Sequence, residues 1–497
     1  VCHADTRWGL VKRYPDLLFA AGYLVVGLLW VWSMPNLARL DRDEGFNIMK
    51  AALVERGFHL YGEIWSDQPP LFTYLLVGWR KVFGPSDAAA RSLVVIITCI
   101  GLASVGRIAT WIGRTPAAGL MAVLLLVAAR SYPKLSMAVM IGLPAISVAL
   151  LSVWLMIASR RWRFRWIVMF VCGAVFACSM QIKLFTFILA PMALLTLLPT
   201  NRDDPRLTPR RKSRIICDVA LVFVGFAVIT LYIAPFEYQS WQHQLILTHL
   251  KSGLATDDTQ MASLRSILMR FLEDGPLMLA FFSTMILAGK DNFRRLLPMV
   301  LWMATSILVL SQANPLWGHH RVMFSIPAAV MTAVATAAIF NLQNRADNPL
   351  GALRNKSQQI ARVMLTIALG YGAASLVYAL TTLGRTREDL LDAEVLAELA
   401  KRKSQTLWVI SDDPHIVHKA GLLVPPETAV LSLKRLQRDF TEERLGQIIE
   451  AYKPQMLLLA RHSYTQAFLD GVTVGYRLVL KKNKERVRLF ERVTPSE

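Results

Sequence analysis

The sequence predicts an all-α polytopic membrane protein of about eleven spans, followed by a small α/β unit outside the bilayer. Three observations predict it. Of 497 residues, 54% are hydrophobic and only 18% charged, with a mean hydropathy of +0.40; a soluble domain carries about 25% charge. Apolar runs of bilayer length recur between residues 17 and 382. Beyond 382 the chain turns to mixed charge and short strand-like segments. An ordinary soluble enzyme, a disordered chain and a collagen-like one are excluded.

A spanning helix needs about 20 apolar residues. Candidates lie near 17–34, 88–106, 116–130, 137–158, 166–182, 184–198, 215–234, 275–289, 296–311, 322–340 and 363–382, with 116–130, 184–198 and 275–289 short. The first run follows Arg7, Lys12 and Arg13, as a signal peptide would, but its 18 apolar residues exceed the roughly 7–15 of a signal core. A retained first helix is expected. The five cysteines, Cys2, Cys99, Cys172, Cys178 and Cys217, lie mostly in apolar runs without paired spacing. Core packing fits them better than a disulfide framework or a zinc site.

Charge sets the orientation, because Lys and Arg concentrate in cytoplasmic loops. With the N-terminus in the cytoplasm, the inner segments hold 22 Lys and Arg in 75 residues and the outer ones 11 in 101. The densest inner runs are Arg160–Arg165 and Arg210–Arg214, and the two spans between them return the chain to the same side. The net charge of +20 is therefore mostly positive-inside bias, and no nucleic-acid footprint is left over. Orientation and count put residues 383–497 outside the cytoplasm. There, Thr406–Ile410 and Gln455–Leu459 read as buried strands, Thr441–Ala451 as an amphipathic helix, and Tyr476–Leu480 with Val487–Phe490 as a terminal hairpin pair. The expected domains are 1–382, with a long first outer loop at 35–87, and 383–497.

That outer loop is too long to be structureless. It carries Asp43 and Glu44 at the mouth of the first span and Asp67 before Gln68-Pro69-Pro70, where the prolines end one element and start a helix. A solvated acidic loop is an equally good reading of these acids taken alone. Lys183 stands between two apolar runs, either as a functional charge or snorkelling to the headgroups. His249 lies in the outer loop after the seventh span, and His319-His320-Arg321 opens a late helix. Such a helix start suits an anion, or an interfacial belt. All of these residues map to the outer face. Carboxylates beside cations suit a reaction that removes a proton and releases a phosphate.

Asp43-Glu44-Gly45, the helix Met49–Leu53, Gly57, Leu60-Tyr61, Asp67-Gln68-Pro69-Pro70-Leu71, Phe83-Gly84 and Arg91 together resemble the bacterial branch of the dolichyl-phosphate-mannose protein mannosyltransferase family. That group has the GT-C fold and includes the lipid A aminoarabinose transferases. The resemblance implies an integral membrane glycosyltransferase. It would take a sugar from a polyprenyl-phosphate donor to a lipid, glycan or protein acceptor, outside the cytoplasm at the inner membrane, with inversion. It further implies Asp43 as general base and Glu44 as the residue orienting the acceptor or Asp43. Tyr61, Gln68, Arg91, Lys183, His319, His320 and Arg321 join the substrate-binding set. A divalent metal in some relatives implies Asp67, with His249, as its ligands. Relatives often have Lys where Gln68 stands, a lost cation that Lys183 would replace. The alternatives are a lipid or glycolipid flippase, for which Gly142-Leu143-Pro144 is the one helix-breaking signal, and a non-catalytic assembly protein.

Overall fold

The computed structural model describes residues 14–198 apart from 35–39 and 42, then 209–233, 289–312, 317–341, 387–436, 440–482 and 487–493, with scattered positions between 244 and 285 and between 359 and 377. The membrane part contains α1 (Pro15–Ser33), α2 (Glu44–Glu55), α3 (Leu71–Phe83), α4 (Asp87–Gly113), α5 (Pro116–Ala128), α6 (Gly142–Ala158), α7 (Arg165–Ile182), α8 (Ala190–Leu197), α9 (Pro209–Ile233), α10 (Gly289–Leu310) and α11 (Val322–Asn341). Among the described residues, five helical stretches are long and apolar enough to cross a bilayer: Pro15–Ser33, Asp87–Gly113, Arg165–Ile182, Ser213–Ile233 and Gly318–Ala338. Four shorter apolar helices accompany them. About half of each of the expected spans 275–289 and 363–382 lies outside the described residues.

Capping residues start the helices where the sequence requires. Ser86 accepts the Ala89 N–H to open α4, and Thr115 accepts that of Ala117 before Pro116 opens α5. Helices α7 and α9 meet at Gly173 and Gly225, where a Cβ would run into the backbone of the facing helix.

Two spans differ from expectation. The candidate at 137–158 becomes helical only at Gly142, because Val139 donates its N–H to Glu44 and its carbonyl accepts from the Asn47 amide of α2. Gly142-Leu143-Pro144 thus begins a helix instead of breaking one, and Pro144 lies in the first turn, where no N–H is needed. The candidate at 184–198 starts as a 3₁₀ turn, Leu184–Leu189, before α8. Pro191 cannot donate to the carbonyl of residue 187, so a continuous α-helix is denied there.

The C-terminal part holds α12 (Arg387–Lys401), β1 (Val409–Ser411), α13 (Pro414–Lys419), α14 (Glu442–Tyr452), β2 (Met456–Leu459), α15 (Gln466–Gly475), β3 (Tyr476–Lys482) and β4 (Val487–Arg492). The sheet order is β1-β2-β4-β3, with β1 and β2 parallel and the other pairs antiparallel. The first strand is shorter than its apolar run, beginning at Val409. Side-chain alternation gives the sheet two apolar faces. Ile410, Leu457, Leu459 and Phe490 pack on Leu445, Ile448, Leu469 and Val472. Val409, Met456, Leu458 and Leu489 share a core with Phe46, Met49 and Leu53 of α2.

Helix α2 is consequently buried on both sides, with Ile48 and Ala51 packed on the membrane bundle. It is the splice between bundle and tail. At Gly45 a Cβ would sit 2.6 Å from the backbone N of His415. Gly45→Ala should loosen this docking by about 1–3 kcal/mol, the usual cost of overpacking. Faster protease release of the tail, with the bundle intact, is the expected readout; parental resistance would contradict it.

Candidate active site

Asp43 occupies the N-cap of α2 but makes no capping hydrogen bond, and its own backbone is helical (φ −86°, ψ −6°). An N-cap carboxylate normally accepts an N–H of the first turn; here it points elsewhere. Its Oδ1 lies 3.2 Å from Nη2 of Arg461, in the loop after β2, and the side chain remains 46% exposed. Arg461 also stacks on Phe46, its Cζ 4.9 Å from the ring centre. The Asp43 N–H donates to Asp41, which pairs with Lys134 at 3.0 Å. Burial and the neighbouring charge of Asp41 push the Asp43 carboxyl above the ordinary range, against the pull of Arg461 and Lys183. Lys183 is thus near enough to act on Asp43 through space. A proton affinity raised toward neutrality suits a general base.

The cations converge from one end of the bundle. Lys183 sits at the break between α7 and the 3₁₀ turn, its ammonium 4.6 Å from the Phe185 ring centre and 3.9 Å from where a Gly142 Cβ would be. Phe185 meets the His320 ring edge-on at 6.2 Å, and His320 meets His319 at 4.5 Å. His319, His320 and Arg321 form the 3₁₀ turn that leads into α11, all half-buried. Acids from the first loop and cations from two distant segments therefore share one region.

Other expected residues hold the frame. Glu44 is fully buried and forked with Arg91, at 2.9 Å and 3.1 Å. It also accepts the N–H groups of Leu40, Asp41 and Val139. Burial raises its carboxyl, but the charge and hydrogen bonds of Arg91 outweigh this and leave it below the usual range. Glu44 thus ties the Leu40–Asp41 backbone before Asp43 to Val139, and Arg91 is paired with it. Tyr61, with a left-handed φ of 73°, donates its hydroxyl to the Gln68 carbonyl at 2.7 Å. This bond fixes the loop that carries Asp67.

Asp67 has Lys50 as an electrostatic neighbour. Burial lowers that amine to about 8 against the opposing pull of Asp67. Among the described residues no group of three His, Cys, Asp or Glu side chains could hold a metal ion, and His249 lies outside them. The Lys50 ammonium thus brings a positive charge to bear on Asp67.

Sequence reasoning missed Arg461, Lys50 and Phe185. Arg461 follows the apolar run Met456–Leu459, at the carboxyl end of a strand parallel to its neighbour, a common place for functional loops in α/β folds. Lys50 is a single cation inside the apolar stretch Ile48–Leu53. Nothing in the sequence pointed to Phe185.

The chain spans its full length in the fold of ArnT from Cupriavidus metallidurans bound to undecaprenyl phosphate, with a TM-score of 0.68, 14% identity and 99% of each chain covered. The apo state of that protein matches with a TM-score of 0.63 and 14% identity, over 96% of this chain and 97% of the other. The chain thus shares the fold of that protein, and its long apolar helices make it a multi-pass membrane protein. Residues 67–232, about a third of the chain, match the model of the dolichyl-phosphate-mannose-protein mannosyltransferase family. No curated protein sequence matches it.

Proposed function

We propose that the protein is an integral membrane glycosyltransferase that moves a sugar from a polyprenyl-phosphate donor to an acceptor hydroxyl, with inversion. The acceptor is a lipid, a glycan or a protein. The observation that carries this reading is the joint neighbourhood of Asp43 with Lys183 and Arg461, residues that come from three distant parts of the chain. The likeness to a protein that binds undecaprenyl phosphate supports the donor class. The positive-inside distribution of Lys and Arg supports a cytoplasmic N-terminus, with the site and residues 383–497 on the extracytoplasmic side of the inner membrane.

Asp43 takes the proton of the acceptor hydroxyl as its oxygen attacks the anomeric carbon. The bond from that carbon to the phosphate oxygen breaks, and polyprenyl phosphate leaves with the electron pair. Lys183, with His319, His320 and Arg321, receives the charge that grows on the phosphate. Preorganised positive charge should be the largest contribution, since donors aimed at developing charge are worth about 3–4 kcal/mol each.

The test uses membranes holding the protein and a panel of radiolabelled undecaprenyl-phosphate sugars (mannose, glucose, aminoarabinose). Native envelope lipids and proteins serve as acceptors. Label passing to an acceptor as undecaprenyl phosphate is released supports the enzyme. Label that only crosses the bilayer, or stays on its carrier, overturns it. In the same assay Lys183→Met should lower the rate roughly 10²–10³-fold. A parental rate would remove Lys183 from the site.

A further inference from the structure

The C-terminal unit has no assigned role, yet it reaches the reaction centre. Its loop 460–464 is anchored on Asp412, which is fully buried at the end of β1. That carboxylate accepts the N–H of Ala460 at 2.7 Å and those of Arg461 and His462 at 2.9 Å. It also accepts the Tyr464 hydroxyl at 3.1 Å. Four donors on one buried carboxylate fix the backbone that presents Arg461. The guanidinium is then held between Phe46 and Asp43, and its side chain is only 13% exposed.

A second clamp sets the same unit against the bundle. His415 meets Asp87 at 2.8 Å, Lys419 meets Asp87 at 3.6 Å, and Arg80 meets Nε2 of His418 at 3.1 Å. Together with Gly45 against His415, this clamp seats the tail on both ends of the first loop's helices. Docking therefore determines where the Arg461 guanidinium lies.

We infer that Arg461 is a positioning residue for Asp43, supplied by the C-terminal unit, so that the base is held in its reactive orientation and charge only while that unit is docked. The inference rests on reading Asp43 as the base. An N-cap aspartate left to itself would swing to the first-turn N–H groups. The paired guanidinium holds it away from them and favours the ionised form. Among the described residues, the other charges that act on Asp43 are Asp41, itself paired with Lys134, and Lys183. Neither Asp41 nor Lys183 replaces Arg461: Asp41 has the wrong sign, and Lys183 acts on Asp43 through space.

The test is the pH profile of kcat for the full-length protein, with the undecaprenyl-phosphate sugar that the parent turns over. In Arg461→Met the favourable charge is gone, so Asp43 holds its proton to higher pH. The acid limb of the profile should move up by about one unit, with kcat down and donor KM within about twofold of the parent. Arg461→Lys should restore the limb but not the full rate, because an ammonium on a flexible stem is not held flat against Phe46 as the planar guanidinium is. If kcat falls while the acid limb stays put, the tail is a structural cover and the inference is overturned. Should Arg461→Met not fold, Arg461→Gln, checked by size exclusion in detergent, gives the same readout. Asp43→Asn separates the two readings. If it keeps the parental rate, the base assignment falls, and the positioning role falls with it. If it is dead while the limb in the Arg461 variants is unmoved, only the present inference fails.

Discussion

Asp43→Asn is expected to lower transfer by roughly 10²–10⁴-fold, the usual worth of a positioned general base, while binding of the donor lipid stays near the parental level. The substitution keeps size and shape and removes the ability to take a proton. Asp43 is 46% exposed and makes no capping bond, so the helix loses little by the change. The loss should therefore appear in kcat and not in stability. The parent should also lose activity as pH falls through the Asp43 pKa, which burial and Asp41 hold above the ordinary carboxylate range. Initial rates and donor binding, measured side by side across pH, check both. A variant as active as the parent would take Asp43 out of the mechanism.

The second large effect is expected at Glu44, and there it should fall on stability. Glu44 and Arg91 are 0% and 2% exposed and form a forked pair. Removing one partner of such a buried pair strands the other, at a cost of about 3–5 kcal/mol. Glu44→Gln should therefore lower the apparent Tm in detergent sharply and reduce the yield of folded protein. The double change Glu44→Leu with Arg91→Met should cost less than the two single changes added together, since no charge is left unpaired. The folded pKa of Glu44 is depressed. Its stabilisation is thus complete above the unfolded carboxylate pKa and is lost as pH falls through the folded one. Single variants as stable as the parent would show that the pair does not hold the loop.

Most of the membrane part was legible because a bilayer imposes a length and a polarity that no packing detail overrides. Helices α4, α7 and α9 follow their apolar runs closely. The departures occur where one side chain overrules the run. Val139 is drawn out of helix by Glu44 and Asn47, and Pro191 turns the start of the next span into a 3₁₀ turn. Both effects depend on contacts or on a single missing N–H, which an average over 20 residues hides.

The site was legible in part for the same reason. Acidic and basic residues on one face could be grouped from loop order alone, which brought Asp43 and Lys183 together. Loop order could not tell an open carboxylate from a saturated one. Adjacent in sequence, Asp43 and Glu44 looked like a pair. Side by side in space, one faces Arg461 and the other is locked to Arg91. Arg461, 418 residues from Asp43 in the chain, could be found only once the tail was seen to share a core with α2.

That shared core has a bearing on biogenesis. Residues 414–461 are synthesised after the described membrane helices, yet they press on Gly45 and pair with Asp43, some 370 or more residues earlier in the chain. A copy halted before residue 461 therefore carries the Asp43 carboxylate without its guanidinium.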